Sequence, residues 1–122
     1  MLSVIYLDNA ATTKADQDVV DSFVKVNQTL YFNPNSPHHA GVQAEQLLLK
    51  AKSEINRILS LNNQFDIIFT SGATESNNTA IKGLVYANEH LGNHIITTKI
   101  EHHSVLHVFE QLEKEGYDVT YL

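Results

Sequence analysis

With 122 residues and 43% hydrophobic side chains, the chain suits one domain of ordinary size and is apolar enough to build a core. Its formal net charge of −6 disfavours nucleic acid or an anionic membrane as a bulk electrostatic partner, and the absence of cysteine excludes disulfides and any catalytic thiol of the chain's own. No apolar run reaches bilayer length and "MLSVIYLDNAATT" lacks the pattern of a signal peptide, so a soluble, cytoplasmic protein with no membrane partner is expected.

In chain order, "SVIYL" (3–7) predicts a short strand. Asp16 is placed to cap a helix whose apolar positions Val19, Val20, Phe23, Val24 and Leu30 recur at helical spacing. "YFNPNSPHHAG" holds both prolines, Pro34 and Pro37, and predicts a loop, because each proline biases its predecessor away from the helical region. A second helix is expected from about Ala40 to Ser60, with Ala44, Leu47, Leu48, Ala51, Ile55, Ile58 and Leu59 on its apolar stripe. "DIIFT" (66–70) is a continuous β-branched and aromatic run, the pattern of a strand buried on both faces. A helix is expected from about Glu75 to Glu89, then a strand "HIITT" (94–98). Ser104 is the expected cap of a helix carrying Val105, Leu106, Val108, Phe109 and Leu112, Gly116 its stop, and "DVTYL" (118–122) a final strand. From residue 66 the alternation of strand and helix predicts an α/β domain. The sequence stops on a strand with nothing after it to cover the sheet, which is the expectation for part of a larger domain.

"FTSGATESNN" (69–78) places a small polar turn between an expected strand and a helix. In open α/β sheets ligands sit beyond the carboxyl ends of strands. The first N–H groups of a helix lack intrahelical partners and face the positive end of its dipole, so a phosphate satisfies both. Gly72 would let the backbone turn tightly and a ligand approach closely. Ala73 and Thr74 would supply N–H groups, and Thr74 a hydroxyl besides. The stretch has neither the lysine of a Walker A loop nor three-glycine spacing, which points to a small monophosphate rather than ATP or NAD. The competing reading is a tight, well-capped turn and nothing more.

The chain has seven histidines. His102 and His103, in "KIEHHSV", follow the strand "HIITT" and would share the edge that carries the phosphate junction; a histidine there can stack on an aromatic ligand and shuttle protons. His103 and His107, spaced i and i+4, would share one helix face as metal ligands, but no further ligands complete a zinc set, and no metal is assigned.

Taken together, "YLDNAATT" (6–13), "NPNSPHHAG" (33–41), "FTSGATESNN" (69–78) and "KIEHHSV" (99–105), in this order, resemble the N-terminal portion of a cysteine desulfurase of the NifS/IscS type. These are pyridoxal-phosphate (PLP) enzymes of the class V aminotransferase superfamily, and the resemblance covers essentially the whole chain. It implies part of the large domain of the PLP-dependent transferase (aspartate aminotransferase-like) fold, a mainly parallel sheet with flanking helices. Residues 1–122 would be an N-terminal segment plus the first part of that domain. Ala73 and Thr74 match residues that bind the cofactor phosphate, beside Gly72. His102 matches the histidine that stacks on the pyridine ring and helps move protons, and Glu101 precedes it as in the family. His103 falls at a variable position and takes no role. "DNAATT" matches a stretch near the substrate entrance, which makes Ala11 and Thr12 substrate-site candidates. His38 and Gly41 match the family's "NPSSxHxxG" loop, in which Asn35 replaces the usual serine.

The resemblance further implies L-cysteine as substrate, L-alanine and an enzyme persulfide as products, a homodimer, and a sulfur-acceptor protein in iron–sulfur cluster assembly or RNA thiolation. Such chemistry needs a lysine for the Schiff base, an acid at the pyridine nitrogen and a cysteine thiolate. The lysines at 14, 25, 50, 52, 82, 99 and 114 lie in no Ser-x-His-Lys setting, and there is no cysteine. The chain alone is therefore expected to be inactive. The alternatives are a fragment of a related class V aminotransferase or selenocysteine lyase, and a non-catalytic phosphate-binding α/β module.

Overall fold

The computed structural model describes residues 4–62 and 64–122. Where length alone suited one domain, contacts divide the chain into two compact units, Met1–Ile67 and Ile68–Leu122.

The first unit holds two helices, α1 (Gln17–Thr29) and α2 (His39–Ile58). Asp16 caps α1 as expected, its carboxylate accepting from the Asp18 N–H at 3.1 Å. The α1 pattern is helical but uncovered, with Phe23 68% exposed. The expected strand at 3–7 does not form: Val4 to Leu7 are exposed and unpaired with any strand, and Ser3 lies outside the described residues. A β ladder needs a partner backbone, and among the described residues none lies alongside.

Between the helices the loop 33–41 is built from its own polar groups. The Asn33 side chain accepts from the Asn35 N–H at 2.9 Å, and the Asn33 carbonyl from the Ser36 N–H at 3.0 Å. His38 then caps α2, its Nδ1 accepting from the Gly41 N–H at 3.1 Å. The α2 helix ends with Ser60 in the left-handed region (φ 54°), where the Ser60 and Leu61 N–H groups return to the Arg57 and Asn56 carbonyls at 3.2 and 2.9 Å.

The second unit runs as an extended segment, α3 (Ala73–Ala87), a short 3₁₀ turn (Glu89–Leu91), β1 (His94–Thr97), α4 (His103–Lys114) and β2 (Asp118–Tyr121). β1 and β2 pair in parallel, His94 opposite Asp118 through to Thr97 opposite Tyr121. The parallel sheet and the helices between its strands are the expected α/β arrangement. "DIIFT" (66–70) corrects the expectation: it is extended but pairs with no strand among the described residues, and Ile68 is 73% exposed where burial on both faces was predicted. Its apolar run satisfies the sequence pattern, but among the described residues no neighbouring strand takes up its N–H and C=O groups.

α4 packs on both α3 and β2, and its Val108 and Leu112 are the fully buried side chains of this unit. Gly116 ends the helix as predicted. It sits at φ 104°, with its N–H on the Glu113 carbonyl and the Tyr117 N–H on the Leu112 carbonyl, both at 3.1 Å, which is a Schellman closure.

Candidate functional site

The turn 70–76 begins α3 two residues earlier than the sequence predicts, so Ala73 and Thr74 form its first helical turn together with Glu75. Gly72 is the N-cap and, having no side chain, makes no cap hydrogen bond. The N–H groups of Ala73 and Thr74 therefore keep no partner among the described residues. The expected tight glycine turn is not what the structure shows. Gly72 lies at φ 164°, ψ −179°, extended backbone open to any residue, and a Cβ there would meet nothing within 4 Å. What Gly72 provides is a bare approach to the helix end.

Two polar contacts hold this end in shape. Ser71 donates from both its N–H and its hydroxyl to Glu75 Oε2, each at 2.6 Å, a variant of the capping box reaching one residue further back. Thr70 Oγ1 donates to the Gly72 carbonyl at 3.2 Å and lies 2.6 Å from Ser76 Oγ. The Ser71 hydroxyl first, and its N–H second, hold the Glu75 carboxyl below its ordinary value of 4.5, against a small opposing effect of desolvation. A depressed carboxyl pKa adds stability above 4.5 that is lost as pH falls through the lower folded value. Glu75→Gln is thus expected to flatten the acid limb of the chain's stability-versus-pH curve below about pH 4.5. Urea midpoints across that range check it, and parallel curves for the two proteins would count against the Ser71–Glu75 clamp.

At the carboxyl end of β1, Thr98 Oγ1 donates to Glu101 at 2.9 Å and steadies the turn before His102. Ser104 was the expected cap of α4, but His102 takes that position: its backbone is extended (φ −63°, ψ 149°) and its Nδ1 accepts from the Ser104 N–H at 3.1 Å. The reason is tertiary. The Ser104 hydroxyl is drawn to Asn77 on α3, accepting from its Nδ2 at 2.8 Å, and also lies 2.9 Å from His102 Nδ1. Asn77, one turn into α3, thereby ties the uncapped start of α3 to the histidine. Neither Asn77 nor Ser104 stood out as a site residue in the sequence, because the link spans 27 residues and no local spacing reports it.

Ala11 and Thr12 belong to the first unit. They sit in an exposed turn, both N–H groups on the Asp8 carbonyl at 3.1 and 3.4 Å. His103 and His107 share a helix face as their spacing predicts, rings stacked with centroids 5.6 Å apart, and His107 pairs with Glu110 at 3.0 Å. Among the described residues no group of three or more candidate ligands could hold a metal.

A separate hollow of about 350 Å³ lies where residues precede β1 and β2, lined by Tyr86, Glu89, Asn93, Glu115 and Tyr117 among others. Tyr86 donates to Glu115 and Tyr117 to Glu89, both at 2.7 Å, and the Glu89 carboxylate pushes the Tyr117 hydroxyl up to about 12. Both phenols thus stay protonated and act as braces at the edge opposite His102.

A family model described as aminotransferase class-V matches residues 5–122. The chain is 44% identical over 121 residues to a cysteine desulfurase of a Nostoc species, covering 99% of this chain and 30% of that protein. A solved NifS-like protein superimposes with TM-score 0.84 at 35% identity, over 93% of this chain and 31% of the other. A structure described as SspA in complex with cysteine gives TM-score 0.79 at 35% identity, over 93% and 32%. The chain therefore spans about a third of the length of the proteins it matches. No helix among the described residues is long and apolar enough to cross a membrane.

Proposed function

We propose, since this chain belongs to the aminotransferase class-V family, that residues 68–122 form the phosphate-binding and ring-facing side of a PLP site in a cysteine desulfurase. On this reading the whole protein removes sulfur from L-cysteine, leaving L-alanine and a persulfide on an enzyme thiol. The sulfur passes to an acceptor protein for iron–sulfur cluster assembly or RNA thiolation, and the enzyme works as a cytoplasmic homodimer. The observation that carries this reading is the uncapped start of α3, fastened through Asn77 and Ser104 to His102.

The residues present fit the group. Ser71 spends its N–H on Glu75, so the donors left at the helix end include the N–H groups of Ala73, Thr74 and Glu75 with the Thr74 hydroxyl, next to a glycine that leaves room for a phosphate. Bound PLP would supply an electron sink for the substrate carbon. His102 is exposed, and with Nδ1 engaged at its own helix it presents Nε2 as the atom that can hold or pass a proton. With no cysteine among its 122 residues, the chain by itself forms no persulfide.

Titration of the chain with PLP and with pyridoxal, which lacks the phosphate, tests this. PLP should bind the more tightly, and Thr74→Val should weaken PLP about 10-fold, the value of one hydrogen bond to a charged group, while leaving pyridoxal unaffected. Equal binding of the two ligands, unaltered by Thr74→Val, would remove the phosphate assignment.

A further inference from the structure

We propose that Asn77 and Ser104 are positioning residues that hold His102 in the Nε2–H tautomer, so that Nε2 is the one nitrogen through which this imidazole exchanges protons. The proposal rests on the reading of His102 as the ring-facing histidine.

The geometry sets a direction for the hydrogen bonds. Asn77 donates from Nδ2 to Ser104 Oγ at 2.8 Å. With one lone pair of Oγ occupied, the hydroxyl proton is free to point at His102 Nδ1, 2.9 Å away. The Ser104 N–H converges on the same Nδ1 at 3.1 Å. Two donors thus face one ring nitrogen, which must be the acceptor, and the ring proton of the neutral form stands on Nε2. A proton on Nδ1 would turn the Ser104 hydroxyl contact round, set the ring N–H against the Ser104 N–H so that this contact is lost, and point the positive end of the ring N–H at the N-terminus of α4, the unfavourable end of its dipole. The origin of the chain of contacts is also rigid: Asn77 and Ser104 are both partly buried where α3 packs on α4. Histidine capping through Nδ1 recurs at His38 on α2, but there no hydroxyl or amide side chain stands behind the ring nitrogen among the described residues. The second donor and its backing amide are particular to His102.

An acceptor-only group at position 77 reverses the relay. In Asn77→Asp the carboxylate takes the Ser104 proton to itself and withdraws it from Nδ1. Ser104→Ala deletes the hydroxyl, and Ser104→Thr keeps it at the same place.

Long-range ¹H–¹⁵N spectra of the imidazoles in the full 122-residue chain read the tautomer directly. The wild type should show His102 as a single Nε2–H species. The second tautomer should become visible in Asn77→Asp and in Ser104→Ala, and Ser104→Thr should restore the single species. His38 serves as an internal reference whose signals should not change. A wild-type His102 that exchanges between tautomers as a free imidazole does, or one unmoved by either Asn77→Asp or Ser104→Ala, overturns the proposal. Adding PLP to the wild type separates this from the parent reading. Ring signals of His102 that ignore PLP while the single tautomer persists would overturn the cofactor assignment and support the positioning.

Discussion

Leu112→Ala should destabilise the Ile68–Leu122 unit by about 2–5 kcal/mol, the cost of removing a fully buried leucine and leaving a cavity. Leu112 is 0% exposed, on the face of α4 that meets α3 and β2. Val108, at 1% exposure, is the other large side chain fully buried among the described residues, so little else can compensate. A loss of that size is comparable with the whole stability of many small domains, so α3, α4 and the two strands should melt together. The Asn77–Ser104 link should go with them, because it exists only while α3 lies on α4. Leu84→Ala is the matched control. It makes the same chemical change on α3 at a side chain 69% exposed, and should alter stability by less than about 0.5 kcal/mol. Urea unfolding followed by circular dichroism compares the two. Equal losses would mean that α4 does not carry the core of this unit.

Gly41→Ala should destabilise the first unit by about 1–3 kcal/mol, although alanine is the better helix former by about 1 kcal/mol. The sign is set by the loop beneath. Gly41 stands in the first turn of α2, and a Cβ there would run into the Ser36 carbonyl oxygen and come within 2.9 Å of the Asn33 carbonyl oxygen and of Ser36 Cβ. Two of those three atoms are backbone, in the very turn that the Asn33 carbonyl closes with the Ser36 N–H. They cannot yield as the tip of a flexible side chain could. Relief requires α2 to lift, which strains the cap from the Gly41 N–H to His38 Nδ1. Gly83→Ala, inside α3 where a Cβ meets nothing within 4 Å, should instead gain up to about 1 kcal/mol. The pair of substitutions, read by the same unfolding experiment, separates close packing from helix propensity. A stabilised Gly41→Ala protein would show that the loop 33–36 does not lie against α2.

This packing gives physical content to "NPNSPHHAG". Asn33 turns the chain, His38 caps the helix, and Gly41 leaves the space in which the turn lies. None of the three needs a ligand to account for it, and the Asn35 that replaces a serine contributes its backbone N–H, which either residue supplies.

The features legible in the amino acids alone are local or carried by ordered motifs. The helices around Val19–Leu30 and Ala44–Ile55, the Asp16 cap and the Gly116 stop follow from side-chain periodicity and from bonds within one turn, whose partners are at most five residues apart. The α/β class and the membership of the aminotransferase class-V family were legible for the same reason, since four motifs in fixed order already carry the pattern. That Ala73 and Thr74 carry free N–H groups was legible too, because the start of a helix leaves its first N–H groups without intrahelical partners wherever it occurs.

Contacts between distant segments settled the rest. They made His102 rather than Ser104 the cap of α4, because Asn77 on α3 claims the Ser104 hydroxyl. They left 66–70 extended and, among the described residues, unpaired, because a strand is defined by the backbone beside it and not by its own β-branched run. The folded chain also gave Gly72 an extended conformation that any residue can adopt, so that its use lies in the open space before α3 and not in the turn. Propensity acts over a few residues, whereas hydrogen-bond partners are allotted by packing, and Asn77 meets Ser104 only after α3 has settled on α4.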